Sequence, residues 1–366
     1  MLLFTPGPTN IPESIRQAMT TQIIHHRTNE FERIFSYCKD NLKILFNMQE
    51  IIILASSGSG AMVSCVRAFC KNVLCINSGK FGERFCEIAR ANNIKYVEIK
   101  NNWDTSPSIK DIANIINNEI DSICIQICES SSGLRHDVES IAKYIKNFNK
   151  NIIVIVDGIA AIGVEKIDTK HIDVLISTSQ KAFMLPPGMS MIGLSKLAIK
   201  MLEKTDSTNM GFYFDLKKEL KNQINNKPSW TPPISIIMGL AKYFELINID
   251  EIYKNTKAIS IATKEALKVI GLKIFPTVSS HSMSVIYNKN AKQIREILES
   301  KYKILVASGQ DNFENTLLRI NHMGLINIHE ALWVVNATEL TLNNLNIRVF
   351  DGIANKVFLD NYYRYR

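Results

Sequence analysis

An α/β fold, with a mostly parallel sheet covered by helices and a smaller carboxyl-terminal α/β domain, is predicted by three observations. From Ile51 to Ser195, short continuous apolar runs alternate with longer amphipathic ones. The short runs lack the in–out alternation of a half-exposed strand, the mark of strands buried on both faces. The chain has 366 residues, 46% hydrophobic and 21% charged, enough for about two domains with substantial cores.

Taken in order, IIILAS from Ile51 reads as a strand and GAMVSCVRAFC as the helix after it. NVLCINS is a strand, FGERFCEIARAN a helix, IKYVEIK a strand and SIKDIANIINN a helix. SICIQIC, VESIAKYIKN and NIIVIVD continue as strand, helix and strand, and IDVLIST and MIGLS complete the series. In such sheets ligands sit at the carboxyl ends of the strands, where loops and helix amino termini converge.

A helical stretch around Leu240 to Leu267 leads into a second region. There VIGLKIF, SMSVIY, AKQIREILES, LLRI and a helix from Asn327 to Leu342 read as a smaller mixed α/β domain. The expected division falls near Glu251, with residues 1–250, including an amino-terminal arm, as the large cofactor-binding domain and 251–366 as the small one. The tail VFLDNYYRYR reads as a strand or turn packed at an edge.

Composition narrows the function. The net charge is +8, yet the lysines are spread singly and no Arg-rich or aromatic-interleaved stretch suggests nucleic acid. A small anionic ligand is compatible with that charge. The longest apolar run, IIVIVDGIAAIGV, is too short for a membrane span and contains Asp157. MLLFTPGPTN has neither the basic start nor the long apolar stretch of a secretion signal, so a cytoplasmic location is expected. There are seven cysteines, never in a CxxC pair, and most of them are expected as buried thiols. His25 and His26 have no third ligand at metal spacing, and no metal site is expected.

Three strand ends carry chemistry. IIILA runs into SSGSGAM and a helix, placing Ser59 and Gly60 where backbone N–H groups are free to hold an anion. The dinucleotide fingerprint GxGxxG is not completed, because Met62, Val63 and Ser64 supply no third glycine. NIIVIVD delivers Asp157 at the end of an apolar run, where an isolated carboxylate costs several kcal/mol. STSQKAFMLPPG places Lys181 just past the end of another. A lysine, an aspartate and a phosphate cup on one sheet suit pyridoxal 5'-phosphate: a Schiff base, a partner for the pyridine nitrogen and a seat for the phosphate.

The chain resembles the class-V, fold-type I pyridoxal-phosphate aminotransferases, in the group of alanine–glyoxylate, serine–pyruvate and serine–glyoxylate enzymes. The motifs carrying the resemblance, in family order, are TPGPTNIP, HHRTNEF, SSGSGAM, NSGKFGERF, CESSSGL, VDGIAAIG, STSQKAFMLPPG, WTPP and LLRINHMG. The resemblance implies Lys181 as the Schiff-base lysine and Asp157 as the partner of the pyridine nitrogen. Ser59, Gly60 and Gln180 would hold the cofactor phosphate, Ala61 would be a further cofactor contact, Phe81 would stack on the ring, and Ser130 and Ser131 would line the cofactor. Arg319 would bind the substrate α-carboxylate. Thr231 would reach the cofactor phosphate of a neighbouring subunit, implying a homodimer with shared active sites. Ala61, Phe81 and Gly158 stand where alanine–glyoxylate enzymes often have histidine, tryptophan and serine. These changes reshape the pocket without removing a catalytic group.

The implied activity is transfer of an amino group from a small amino acid, alanine or serine, to a 2-oxo acid, glyoxylate or pyruvate. The alternatives are an aminoethylphosphonate–pyruvate transaminase, a lyase or cysteine desulfurase of the same family, or a catalytically silent relative. A desulfurase needs a mobile thiolate shortly before the carboxylate-binding arginine, and ILVASGQDNFENTLLRI contains no cysteine. A silent relative has no use for the pair Lys181 and Asp157.

Overall fold

A computed structural model describes residues 1–207 and 210–366. The chain starts with strand β1 (Leu2–Phe4) and helices α1 (Glu13–Met19) and α2 (Asn29–Phe46). It continues through β2 (Glu50–Leu54), α3 (Gly58–Phe69), β3 (Asn72–Asn77), α4 (Lys80–Ala91), β4 (Lys95–Lys100), α5 (Ile109–Ala113) and β5 (Ser122–Gln126). A short ribbon of β6 (Cys128–Glu129) and β7 (Leu134–Arg135) precedes α6 (Val138–Phe148), β8 (Ile153–Asp157), β9 (Val174–Thr178) and β10 (Ser190–Leu194). Helices α7 (Lys196–Lys204), α8 (Leu216–Gln223), α9 (Ile234–Leu246) and α10 (Ile249–Val269) follow. The remainder is β11 (Lys273–Ile274), β12 (Met283–Tyr287), α11 (Ala291–Ser300), β13 (Ile304–Ser308), β14 (Leu317–Asn321), α12 (Ile328–Asn344) and α13 (Ile353–Tyr365).

The larger sheet has the order β2-β10-β9-β8-β5-β3-β4. Its strands alternate between two cores. Val154 and Val156 of β8 enter the core under α2, α6 and α9, while Ile153 and Ile155 enter the one under α3, α4 and α7. Helices therefore cover both faces, as the unbroken apolar runs require. The run MIGLS forms β10, which pairs antiparallel with both β2 and β9. Residues 179–189 link β9 to β10, and a parallel partner would need a crossover of about a dozen residues or more. That short link carries Lys181.

The second sheet has the order β1-β13-β14-β12-β11. Strand β1, at the very start of the chain, pairs parallel with β13, so the amino terminus contributes to the sheet otherwise built by residues after 250. The segment between β1 and α1 then crosses to the larger sheet, where the Thr9 hydroxyl donates to the Lys181 carbonyl at 2.7 Å.

The tail corrects the sequence reading: VFLDNYYRYR belongs to α13 and is neither strand nor turn. Its buried residues Ala354, Phe358 and Tyr362 recur at four-residue spacing, which puts them on one helical face. That face lies along α10, and the Tyr362 hydroxyl donates to Asn255 at 2.9 Å.

Candidate active site

Lys181 and Asp157 come from adjoining strands. Asp157 closes β8 opposite Ile176 of β9, and β9 ends at Thr178, three residues before Lys181. Asp157 is buried, and the Ile159 N–H donates to its carboxylate at 2.8 Å. Burial pushes its pKa up to about 6; the nearby Glu129 adds to this, while the Ile159 N–H, Lys181 and Arg84 oppose it. Burial pushes the Lys181 amine down to about 8, with Arg319 and Arg84 adding and Cys128 and Asp157 opposing. An acid raised and a base lowered at neighbouring strand ends make this a candidate site for proton transfer.

Lys181 meets the amino-terminal arm. Its amine donates to the Pro6 carbonyl. Gly7 adopts φ +114°, and a Cβ at that position would lie 2.7 Å from Lys181 Cδ. Only glycine lets the arm pass this close.

The cup lies at the start of α3. Ser57 caps the helix, accepting from the Gly60 N–H at 3.4 Å, and the Ala61 N–H donates to the Ser57 carbonyl at 3.2 Å. The Gly58 and Ser59 N–H groups have no partner among the described residues. A Cβ on Gly58 would sit 2.6 Å from Thr178 Cγ2, so the helix start is pressed against the end of β9. Thr178 is fully buried with its hydroxyl unpartnered, and the Gln180 side-chain carbonyl is unpartnered as well. Ser59, Gly60 and Thr178 therefore gather at one place, with Gln180 two residues further along the chain, whereas Ala61 is buried with its N–H already used.

Sequence reasoning passed over Glu129, which organises the opposite wall. This carboxylate is fully buried at the end of β6. One oxygen accepts from the Phe81 and Gly82 N–H groups at 3.0 and 2.9 Å. The other accepts from the Ser131 N–H at 3.1 Å and the Ser131 hydroxyl at 2.5 Å. Burial pushes the Glu129 pKa up against these four donors. The Ser131 hydroxyl thus donates to Glu129 and accepts from the Lys80 N–H, 3.2 Å away. The only signal in the sequence is an acid among small residues, in ESSSG after the run SICIQIC.

Arg319, on β14, reaches from the second sheet toward the first. Its Nε donates to the Ser308 carbonyl at 2.7 Å and its Nη1 to the Ser130 carbonyl at 2.8 Å. These bonds fix the plane of the guanidinium and leave Nη2 without a hydrogen-bond partner among the described residues. Burial lowers its pKa to about 10, so it stays cationic at neutral pH. Phe81, in the first turn of α4, is half-buried, and the Arg84 guanidinium covers one face of its ring at 4.6 Å from the centroid. Thr231 is not brought to this cluster. It is exposed and lines a small hollow with Ala55, Tyr213 and Trp230 beyond the end of β2. His25 and His26 lie against each other, ring centroids 4.7 Å apart, in the segment before α2.

These residues fit pyridoxal phosphate. A buried amine of lowered pKa suits an aldehyde, a buried carboxylate suits a ring nitrogen, and the open N–H groups with an unpartnered buried hydroxyl suit a phosphate.

Comparison with known proteins agrees. Residues 1–329 match the Aminotransferase class-V family. The chain is 48% identical over 370 residues to an uncharacterized aminotransferase of Helicobacter pylori, covering 99% of this chain and all of that one. It is 25% identical over 373 residues to a serine–glyoxylate aminotransferase of Methylorubrum extorquens, covering 96% of this chain and 93% of that one. The structure superposes on an aspartate aminotransferase of subgroup IV from Thermus thermophilus with a TM-score of 0.87 at 25% identity, over 94% of this chain and 99% of that one. The chain therefore belongs to the class-V aminotransferases, a family of pyridoxal-phosphate-dependent transaminases with the fold-type I architecture.

Proposed function

We propose that the protein uses pyridoxal 5'-phosphate to move an amino group from a small amino acid, alanine or serine, to a 2-oxo acid, glyoxylate or pyruvate. The observation that carries the chemistry is the Lys181–Asp157 pair, with its two pKa values displaced toward neutrality. The substrate class rests on likeness to the Methylorubrum extorquens serine–glyoxylate enzyme and on the anchored Arg319.

In this reading Lys181 holds the cofactor, Asp157 faces its ring nitrogen, Phe81 lies against its ring, Ser130 lines it, and Ser59, Gly60 and Gln180 seat its phosphate. When bound, the cofactor supplies an aldehyde that takes up the amino group and a cationic ring that draws electrons from the Cα–H bond. Lys181 Nζ takes the Cα proton. With a pKa of about 8, about a tenth of that amine is neutral at pH 7, against about one part in three thousand at an ordinary lysine pKa. Arg319 orients the substrate through its carboxylate so that the Cα–H bond faces Lys181. Asp157 keeps a positive charge on the group it faces, the electrostatic term of the transition state.

A desulfurase reading has less support. No cysteine follows Cys128, and burial pushes that thiol up to about 11.

A homodimer is part of the proposal. Phe212 is 79% exposed, and Tyr213 stacks on the Trp230 ring at 5.9 Å beside Thr231, an exposed aromatic patch suited to a protein interface. Two domains meeting near residue 250, with the β1 arm crossing between them, and a cytoplasmic location complete it. No helix among the described residues is long and apolar enough to cross a membrane.

The test is borohydride reduction of the purified yellow protein, followed by absorbance changes with single amino acids. The cofactor is expected on the Lys181 peptide, with the visible band bleached by alanine or serine and restored by glyoxylate or pyruvate. Label on another lysine would sink the assignment, and sulfide release from cysteine with no amino transfer would sink the reaction. Asp157→Asn should keep the label while lowering kcat about 100-fold or more.

A further inference from the structure

We propose that Arg84 completes the anion cup at the start of α3, binding the phosphate monoester of the cofactor directly. This rests on the pyridoxal-phosphate reading above and extends it to a residue no motif assigned.

Arg84 is half-buried one turn into α4. A partly buried guanidinium that gives one N–H to a hydroxyl and lies over a ring still has donors to offer an anion. Among the described residues no carboxylate forms an ion pair with the Arg84 guanidinium: Glu83, next to it, pairs with Lys80, and Asp157 feels the guanidinium only as a nearby charge. Its polar contact is Nη1 donating to Ser59 Oγ at 3.2 Å, and its apolar contact is the Phe81 ring at 4.6 Å. Ser59 Oγ belongs to the helix turn whose Gly58 and Ser59 N–H groups are open. The buried, unpartnered Thr178 hydroxyl stands on the residue pressed against that turn.

Every group here calls for the same ligand. Open N–H groups, the positive end of a helix dipole, a hydroxyl and an unmatched guanidinium favour a compact dianion with several acceptor oxygens. A phosphate monoester has that charge and shape, whereas a carboxylate would leave part of the donor set unused. The Ser59 contact and the ring contact hold the guanidinium in place, so little side-chain entropy is lost on binding. One face of Phe81 is occupied by Arg84, so a cofactor ring stacks on the other, which ties the ring seat and the phosphate seat to one side chain.

The experiment compares pyridoxal phosphate with pyridoxal, which has the aldehyde and ring but no phosphate, on full-length protein freed of cofactor. Dissociation constants are read from visible absorbance for wild type, Arg84→Gln and Arg84→Lys. Arg84→Gln is expected to weaken pyridoxal phosphate roughly 10- to 100-fold while changing pyridoxal less than about threefold, with Arg84→Lys recovering part of the loss. Inorganic phosphate added with pyridoxal should raise pyridoxal occupancy in wild type and not in Arg84→Gln. Equal weakening of both compounds would make Arg84 a brace for Phe81 and overturn the inference, as would no change in either. If Arg84→Gln does not fold, Arg84→Lys carries the same two-compound comparison. Wild-type protein that takes up no pyridoxal phosphate on Lys181 would instead overturn the function on which the inference rests.

Discussion

Two helices, α3 and α4, each follow a strand of the larger sheet and each begin beside the site, yet their first turns are used in opposite ways. At α4 every early N–H is taken: Gly79 donates to Asn77, Lys80 to Ser131, and Phe81 and Gly82 to Glu129. Its amino-terminal flank is Gly79, which supplies no side-chain cap, so a carboxylate from β6 does that work across the fold. At α3 the cap is local, from Ser57, and the N–H groups of Gly58 and Ser59 stay open. A helix start therefore becomes an anion seat only where the protein withholds its own acceptors. The buried acid at α4 builds a wall; its counterpart at α3 would have to come from a ligand.

The contrast can be broken first at Glu129. Glu129→Ala strips acceptors from two N–H groups of α4 and from Ser131 and should destabilise the cofactor-free protein by about 2–4 kcal/mol in urea unfolding. Glu129→Gln should also destabilise, since its NH2 must face donors at one end. Unchanged stability in both variants would mean that α4 does not depend on this carboxylate.

Electrostatics around the open cup gives a smaller effect with a definite sign. The folded pKa of Lys181, about 8, lies below its ordinary 10.5. The folded state therefore binds fewer protons than the unfolded one between those values, and stability contributed by this site rises with pH across that window. The penalty is full below pH 8 and gone by about pH 10.5. Cofactor-free Lys181→Met should be more stable than wild type at pH 7 by about 1–3 kcal/mol, the gap closing as pH rises through 8 to 10.5. A gap that does not depend on pH would show that desolvation of the ammonium is not its source. The smallest effect is expected at the local cap: Ser57→Ala should cost about 0.5–1 kcal/mol in the same unfolding measurement, because its bond to Gly60 is long.

Much of the larger sheet and the ends of its strands were legible in the sequence. NIIVIVD ends in Asp157 as β8, IIILA precedes the cup as β2, and IDVLIST runs out as β9 just before Lys181, because unbroken apolar runs are a local record of burial on both faces. LLRI likewise placed Arg319 on β14. The tail was misread because its aromatic residues look β-forming one by one, while the four-residue spacing of Ala354, Phe358 and Tyr362 serves a helix whose partner, α10, begins about a hundred residues earlier.

By itself, then, the sequence determined which segments are buried strands, where each one stops, and which lysine and aspartate stand at those stops, since hydrophobic period and turn residues act over a few positions. Tertiary structure alone decided that β1 joins β13 across the length of the chain, that Glu129 caps α4 and holds Ser131, and that Arg84 faces Ser59 with no ion-paired carboxylate. Hydrogen-bond partners and electrostatic neighbours are set by distance in space, and no spacing along the chain encodes which donor a buried carboxylate will meet.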